Sequence, residues 1–199
     1  MEDNSKKIIL HLFADIGSDS KPYRDAGYDV RCIGSDIGVE NFTPPKNVYG
    51  IIANPPCTMF SIARMSAKTP RDLREGMRLV KEALRVIWEC QYEVDGKKTS
   101  SNLKFWAIEN PASGMLKHFL GNPTFEYSPH EYGADWTKRT ALWGMFNLPK
   151  RPLLVSKMPP GRDVSSVFTP MNMRNKYDRM NARSNCYEGF ANAFFRANP

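Results

Sequence analysis

The chain has 199 residues, of which 41% are hydrophobic, so it is long enough for one folded domain and too apolar for global disorder. Its net charge is +7, and residues 150–199 carry nine Lys or Arg against three Asp or Glu. This excess favours a polyanionic partner such as nucleic acid, although a solvated basic face has the same composition. No apolar run approaches the roughly 20 residues of a membrane span, and the polar start lacks a signal-peptide core, so we expect a soluble cytoplasmic protein.

The four cysteines are widely spaced and do not pair with the three histidines in any zinc-binding pattern. They are Cys32, Cys57, Cys90 and Cys186. No C-x-x-C motif is present, so the sequence predicts no metal site. In a reducing compartment we expect all four to be free thiols.

The first two thirds of the chain alternate between strand and helix patterns. Buried strands are predicted at 6–15, 28–36, 49–54 and 103–110, a short helix at 23–26 that ends at Gly27, and a long amphipathic helix at 69–93 with Thr69 as its N-cap. This order predicts an α/β fold with a mostly parallel sheet and flanking helices.

The last third has weaker patterns. The segments "TFEYSPHEYG" and "RTALWGMF" are typical of strands around a loop, residues 156–186 of a long basic loop, and residues 187–198 of a short amphipathic helix. We therefore predict a main domain over 1–155, a basic loop over 156–186 and a C-terminal helix over 187–199 that closes the main domain.

Polar residues follow four of the predicted strands. They are the turn at Gly17, Asp36, the segment Asn54–Cys57 and the segment Glu109–Pro111. In parallel sheets ligands bind beyond the carboxyl ends of the strands, so we expect these residues to line one site. The two prolines before Cys57 fix two φ angles and remove two backbone donors, which ends the strand and holds the thiol on a rigid corner. Such a thiol is a candidate nucleophile, although it could also be a packed strand-end residue.

Several segments resemble, in the same order, the motifs of DNA cytosine-5 methyltransferases. "LFADIGSDSKPYRDAGY" (12–28) occupies the place of the cofactor loop, "PPCTMFS" (55–61) resembles the catalytic Pro-Cys motif, and "ENP" (109–111) resembles the Glu-Asn-Val motif. "YGADWTKRTALWG" (132–144) is similar to the segment with the family's arginines, and "RSNCYEGFANAFFRAN" (183–198) to the C-terminal end of small phage-type or prophage-type members.

The resemblance implies a Rossmann-like fold that uses S-adenosylmethionine (SAM) to methylate C5 of a cytosine flipped out of DNA. Cys57 would add to C6 of the base, Glu109 would bind the N3/N4 edge and supply a proton at N3, and Arg139 would stabilise the base or the thiolate. The expected cofactor-binding residues are Phe13, Asp15, Gly17, Asp36, Ile37, Asn54 and Pro55. The expected DNA-binding residues are Ser61, Lys138, Arg162, Arg174, Lys176, Arg179 and Arg183.

Two departures from the family pattern keep alternatives open. Asp15 and Ser18 stand where the cofactor loop usually has glycine, and the basic loop is short for reading a defined DNA site, so we expect low or short sequence specificity. The alternatives are a pyrimidine-nucleotide enzyme, an amino-methyltransferase, for which "NPPC" lacks the stacking aromatic residue, and a non-catalytic nucleic-acid-binding protein.

Overall fold

A six-stranded sheet forms the centre of the structure, which is a computed structural model. The structure describes residues 3–14, 17–92, 102–152, 162–163, 175 and 184–199. Within these residues the strands are β1 (Ile8–Leu12), β2 (Asp29–Ile33), β3 (Val48–Ala53), β4 (Phe105–Pro111), β5 (Phe125–Tyr127), β6 (Trp136–Thr137), β7 (Thr140–Met145) and β8 (Arg162–Asp163). The α-helices are α1 (Lys21–Asp25), α2 (Leu73–Gln91), α3 (Lys117–Leu120) and α4 (Glu188–Ala197). Short 3-10 helices lie at Asn4–Lys6, Val39–Asn41, Ile62–Ser66 and Pro129–Tyr132.

The strand order in the main sheet is β2-β1-β3-β4-β7-β5. Strands β1 to β4 pair in parallel, whereas β7 runs antiparallel to both β4 and β5. The predicted α/β class is thus confirmed, and the sheet is mixed, with five described strands in one direction and β7 in the other. The reason is that β7 inserts between β4 and β5, a non-sequential pairing that strand patterns alone do not reveal.

The chain order reverses beside β1, which has β2 on one side and β3 on the other. A crevice therefore opens at the carboxyl ends of β1 and β3, the position where open α/β sheets bind their ligands. The turn after β1 and the Pro-Pro-Cys corner after β3 both lie at this crevice.

Two hydrophobic clusters cover the two faces of the sheet. One face packs Ile9 and Phe105 against Tyr23 of α1 and Phe190 of α4. The other face packs its strands against the buried stripe of α2. Burial of both faces explains why β1 and β3 are almost continuously apolar.

The long helix α2 starts later than the sequence predicts. Asp72, not Thr69, is the N-cap, because its carboxylate accepts the backbone N–H of Glu75 at 2.9 Å. Thr69 instead accepts a hydrogen bond from the guanidinium of Arg64 at 2.7 Å, which ties the 3-10 helix Ile62–Ser66 to the segment before α2.

The predicted C-terminal helix is α4, and it packs on the same sheet face as α1. Its Phe190 ring stacks on Tyr127 with centroids 3.5 Å apart, and the hydroxyl of Tyr23 donates to the carbonyl oxygen of Asn198 at 2.8 Å. The predicted loop 156–186 falls largely outside the described residues. Its residues Arg162 and Asp163 form β8, which pairs in parallel with β6.

In the part of the chain that the structure describes, none of the helices combines the length and the apolar character needed to cross a bilayer. The same residues contain no group of three or more His, Cys, Asp or Glu side chains arranged to hold a metal ion.

Candidate active site

The Pro-Pro-Cys corner begins where β3 ends. The backbone N–H of Asn54 still donates to Leu12 of β1 at 3.1 Å, and the two prolines then stop the ladder. The carbonyl oxygen of Cys57 accepts the N–H groups of Phe60 and Ser61 at 2.9 and 2.7 Å, which closes a tight turn. Cys57 therefore lies between two stiff segments and is partly buried.

Asn110 of β4 holds this corner from the neighbouring strand. Its side chain is fully buried, and its Nδ2 donates to the carbonyl oxygen of Pro55 at 3.0 Å. Side chains alternate between the two faces along β4, so Asn110 supports the corner from one face while Glu109 projects from the other. The pair Glu109–Asn110 thus links two neighbouring strand ends.

Glu109 and Lys138 form an ion pair beside Cys57. Lys138 Nζ lies 3.7 Å from Glu109 Oε1, and the two side chains are 23% and 17% exposed. Burial raises the pKa of Glu109, and Lys138 opposes this effect. Burial acts to lower the pKa of Lys138, but the negative charges around it, Glu109 first, outweigh burial and raise it. At neutral pH Lys138 is therefore a cation.

The Cys57 thiol belongs to the same electrostatic cluster. Burial and the Glu109 carboxylate raise the pKa of Cys57, whereas Lys138 and a backbone hydrogen bond lower it. The resting site therefore favours a neutral thiol, and any change that neutralises Glu109 leaves Lys138 free to stabilise a thiolate.

Arg139, predicted to be catalytic, is not brought to this cluster. Its guanidinium is 70% exposed and pairs with Glu126 of β5 at 2.8 Å. The sheet register gives the reason. Glu109 is the partner of Leu142 in β7, and side chains alternate between the two faces along an extended chain. Lys138 precedes Leu142 by an even number of residues and therefore lies on the same face as Glu109. Arg139 falls on the opposite face with Ala141, the partner of Glu126. Lys138, predicted to contact nucleic acid, is the cation of the site.

A buried polar network fixes the turn after β1. Ser20 and His11 are almost fully buried, and His11 Nδ1 lies 2.9 Å from Ser20 Oγ. Asn54 Nδ2 donates to Asp19 Oδ2 at 2.9 Å and lies 3.3 Å from His11 Nε2. The turn is thereby attached to the residue immediately before the Pro-Pro-Cys corner.

A small cavity of about 20 Å³ connects this network to the ion pair. Its polar wall consists of Asp19, Glu109 and Cys186, and its apolar wall of side chains from β3, β4, β7 and α4. The backbone N–H of Cys186 donates to Ser18 Oγ at 3.0 Å, and burial together with Asp19 raises the pKa of its thiol well above the usual range. Cys186 is thus an uncharged part of the wall.

The remaining predicted cofactor residues differ in backbone conformation, contacts and exposure. Phe13 has a positive φ of 60° and packs against the core cluster beneath the sheet. Gly17 has a φ of 72°, and a Cβ there would meet Cys32 Sγ at 2.8 Å, so only glycine fits. Beyond β2, Asp36 is exposed and Ile37 is 47% exposed. Pro55 is buried, and Asp15 lies outside the described residues.

The predicted DNA-binding residues are only partly described. Ser61 caps the 3-10 helix Ile62–Ser66, with its Oγ accepting the N–H of Ala63 at 3.2 Å. Of Arg162 only the backbone is described, in β8. The structural description does not extend to Arg174, Lys176, Arg179 and Arg183.

The sequence interpretation missed His11, Asp19 and Cys186 as members of the site. His11 lies inside an apolar strand, a position where a polar side chain needs a partner, and Ser20 and Asn54 at the neighbouring turn and strand end are such partners. That buried histidine was the one signal available in the sequence. A scan against models of known protein families finds no match, and no curated protein matches the chain.

Proposed function

We propose that the protein methylates C5 of cytosine in DNA with SAM, through a covalent bond between Cys57 and C6 of the base. The observation that carries this proposal is the cluster of one thiol, one carboxyl group and one cation at neighbouring strand ends, formed by Cys57, Glu109 and Lys138. A nucleophile, an acid for N3 and a counter-charge are the groups that thiol addition to a pyrimidine requires.

The charge coupling suggests how the thiol is activated. Glu109 takes up the proton that Cys57 releases, so that one carboxylate charge disappears as one thiolate charge forms. Lys138 then faces the thiolate instead of the carboxylate. The thiolate adds to C6, and protonated Glu109 delivers its proton to N3, which leaves C5 electron-rich and the net charge of the site unchanged.

The crevice between β1 and β3 supports a nucleoside-containing cofactor. Exposed Asp36 at the end of β2 suits ribose hydroxyls, and exposed Ile37 beside it suits one face of an adenine ring. Bound SAM would supply an electrophilic methyl group to C5. After the transfer N3 would return its proton to Glu109, a water molecule would take the C5 proton, and the Cys57–C6 bond would break. Cys57 would leave as the thiolate and regain its proton from Glu109.

The basic C-terminal quarter supports DNA over a free nucleotide as the substrate. Nine Lys or Arg against three Asp or Glu over residues 150–199 suit contacts with phosphates, which bind DNA without reading its sequence. We therefore expect binding that weakens steeply with added salt and methylation with little sequence selectivity.

A trapping experiment tests the proposal. DNA with 5-fluorocytosine is incubated with the protein and SAM, and because fluorine cannot leave as a proton, the adduct should persist on a denaturing gel. We expect an adduct with the parent protein and with Cys90→Ser, whose thiol lies on α2 against the core, and none with Cys57→Ser.

Three outcomes would redirect the proposal. An adduct with fluorinated deoxycytidine monophosphate but not with DNA would indicate a nucleotide enzyme. Salt-sensitive DNA binding without any adduct or SAM binding would indicate a non-catalytic protein. Mass spectrometry of nucleosides from cells that express the protein should show added 5-methylcytosine, and N4-methylcytosine or N6-methyladenine in its place would contradict the Cys57 mechanism.

A further inference from the structure

The hydrogen-bond network around His11 has one consistent assignment of protons. Ser20 Oγ–H donates to the carbonyl oxygen of Gly17 at 3.2 Å, so the Ser20 oxygen can accept from His11 Nδ1. His11 Nε2 is then unprotonated, and its lone pair accepts one amide hydrogen of Asn54. The second amide hydrogen of Asn54 is donated to Asp19 Oδ2. Each donor is used once, and the imidazole is neutral with its proton on Nδ1.

We propose that His11 is a positioning residue that keeps the site competent only while its imidazole is neutral. Neutral His11 accepts from Asn54, so that Asn54 holds the Asp19 carboxylate against the cavity that it shares with Glu109. The part of this inference that concerns catalysis rests on the proposed methylation, whereas the part that concerns proton positions does not.

Protonation of His11 would break this arrangement for a geometric reason. A proton on Nε2 would face the Asn54 amide hydrogens, so the amide must rotate and present Oδ1 instead. Asn54 Oδ1 is buried and has no hydrogen-bond partner within the described part of the chain, so the rotated state would satisfy it. Asp19 Oδ2, only 3.6 Å from His11 Nε2, would lose the amide donor and turn toward the imidazolium.

The groups around His11 set the direction of its titration. The charged groups that act on it are Asp19 of the turn and Arg24 of α1, and Cys32 of β2 is its partner in the neighbouring strand. Burial lowers the pKa of His11, Asp19 opposes this effect and Arg24 adds to it. The neutral state is thus the resting state, and protonation occurs as the pH falls below the ordinary histidine value of 6.5.

Two substitutions separate the roles of the two imidazole nitrogens. The amide of His11→Gln reaches the place of Nε2, so it can accept from Asn54 but cannot become an imidazolium. The amide of His11→Asn reaches only the place of Nδ1, so it keeps a donor for Ser20 and leaves Asn54 without an acceptor. Both are uncharged, and His118→Gln on the exposed helix α3 is the surface control.

The test combines nitrogen-15 NMR of the histidines with pH profiles of methyl transfer. In the parent protein we expect the Nδ1–H tautomer above neutral pH and an Asp19 carboxyl-carbon shift that changes together with the titration of His11. The methyl-transfer rate should fall about tenfold per pH unit below the pKa of His11. His11→Gln should lose this acid limb, His11→Asn should be slow at every pH, and His118→Gln should match the parent.

An Nε2–H tautomer in the parent protein would overturn the inference. An Asp19 carboxyl-carbon shift that stays constant while His11 titrates would overturn it too. Both measurements use the parent protein, so they decide the matter even if neither variant folds. An unchanged acid limb in His11→Gln would overturn it as well. If no substrate is methylated, the proposed function fails, while the tautomer and the Asp19 signal still decide whether the network works as described.

Discussion

Replacement of Lys138 by methionine should remove the only cation that the structure places against Glu109 within its described residues. At the 3.7 Å separation of the pair, and with an effective dielectric constant of about 20, their attraction is about 4.5 kcal/mol. Loss of the buried lysine also removes its desolvation penalty, and both side chains keep some contact with water. We therefore expect Lys138→Met to lower the free energy of unfolding by about 2 kcal/mol at a pH high enough to ionise Glu109.

The pH dependence of this loss follows from the raised pKa of Glu109. A carboxyl group with a raised pKa in the folded state destabilises the fold when it is charged, and this effect disappears as the pH falls through that pKa. Urea unfolding of Lys138→Met should thus show a deficit that shrinks as the pH falls through the raised pKa of Glu109. The thiol of Cys57 loses the same cation, so its alkylation by iodoacetamide should also become slower near neutral pH.

Two matched variants make the experiment decisive. The double variant Lys138→Met with Glu109→Gln should recover stability to within about 1 kcal/mol of the parent protein, because a neutral amide needs no counter-ion. Arg139→Met removes an exposed ion pair on the opposite face and should change stability by less than about 1 kcal/mol. An equal loss in Arg139→Met, or no recovery in the double variant, would refute the assignment of Lys138 to the site.

Two further substitutions test how the site is held. Asn110→Ala removes the hydrogen bond to the carbonyl oxygen of Pro55. The free energy of unfolding in urea should therefore fall by about 1–2 kcal/mol, and iodoacetamide should alkylate Cys57 faster. If the prolines alone hold the corner, neither change will be seen. Gly50→Ala places a methyl group against the ring of Phe105, its buried partner across β3 and β4, so the same measurement should show a loss of about 1–3 kcal/mol, and a neutral result would mean that the ring has room to move.

The fold was predictable from the sequence where apolar runs end in polar residues. The strands β1, β3 and β4 were predicted to within a few residues, because sequences buried on both faces are short, apolar and bounded by turns. Their polar ends were predicted to meet because parallel strands share one edge. The pairing of β7 was not predictable, because an antiparallel strand that inserts between β4 and β5 depends on long-range contacts that leave no local pattern.

The choice between Lys138 and Arg139 shows where sequence analysis stops. Adjacent residues in an extended segment face opposite sides, and only the pairing of β7 with β4 decides which one meets Glu109. A one-residue change of register would exchange the two side chains. The sequence could predict that a cation belongs to this segment, but not which one.

The turn after β1 raises the same question in another form, because it holds its shape with fewer glycines than a glycine-rich ligand-binding turn has. A glycine-rich turn lets the backbone approach a ligand but adds little rigidity of its own. Here Gly17 is kept at the one place where a Cβ would collide, and hydrogen bonds from His11, Ser20 and Asn54 fix the rest of the turn. Since hydrogen bonds with a titratable group depend on protonation and glycine does not, this turn should be sensitive to acid in a way that a glycine-rich turn would not be. Binding of SAM measured by calorimetry should therefore weaken in the parent protein as the pH falls through the lowered pKa of His11, and less so in His11→Gln. Equal weakening in both would show that the turn does not depend on His11.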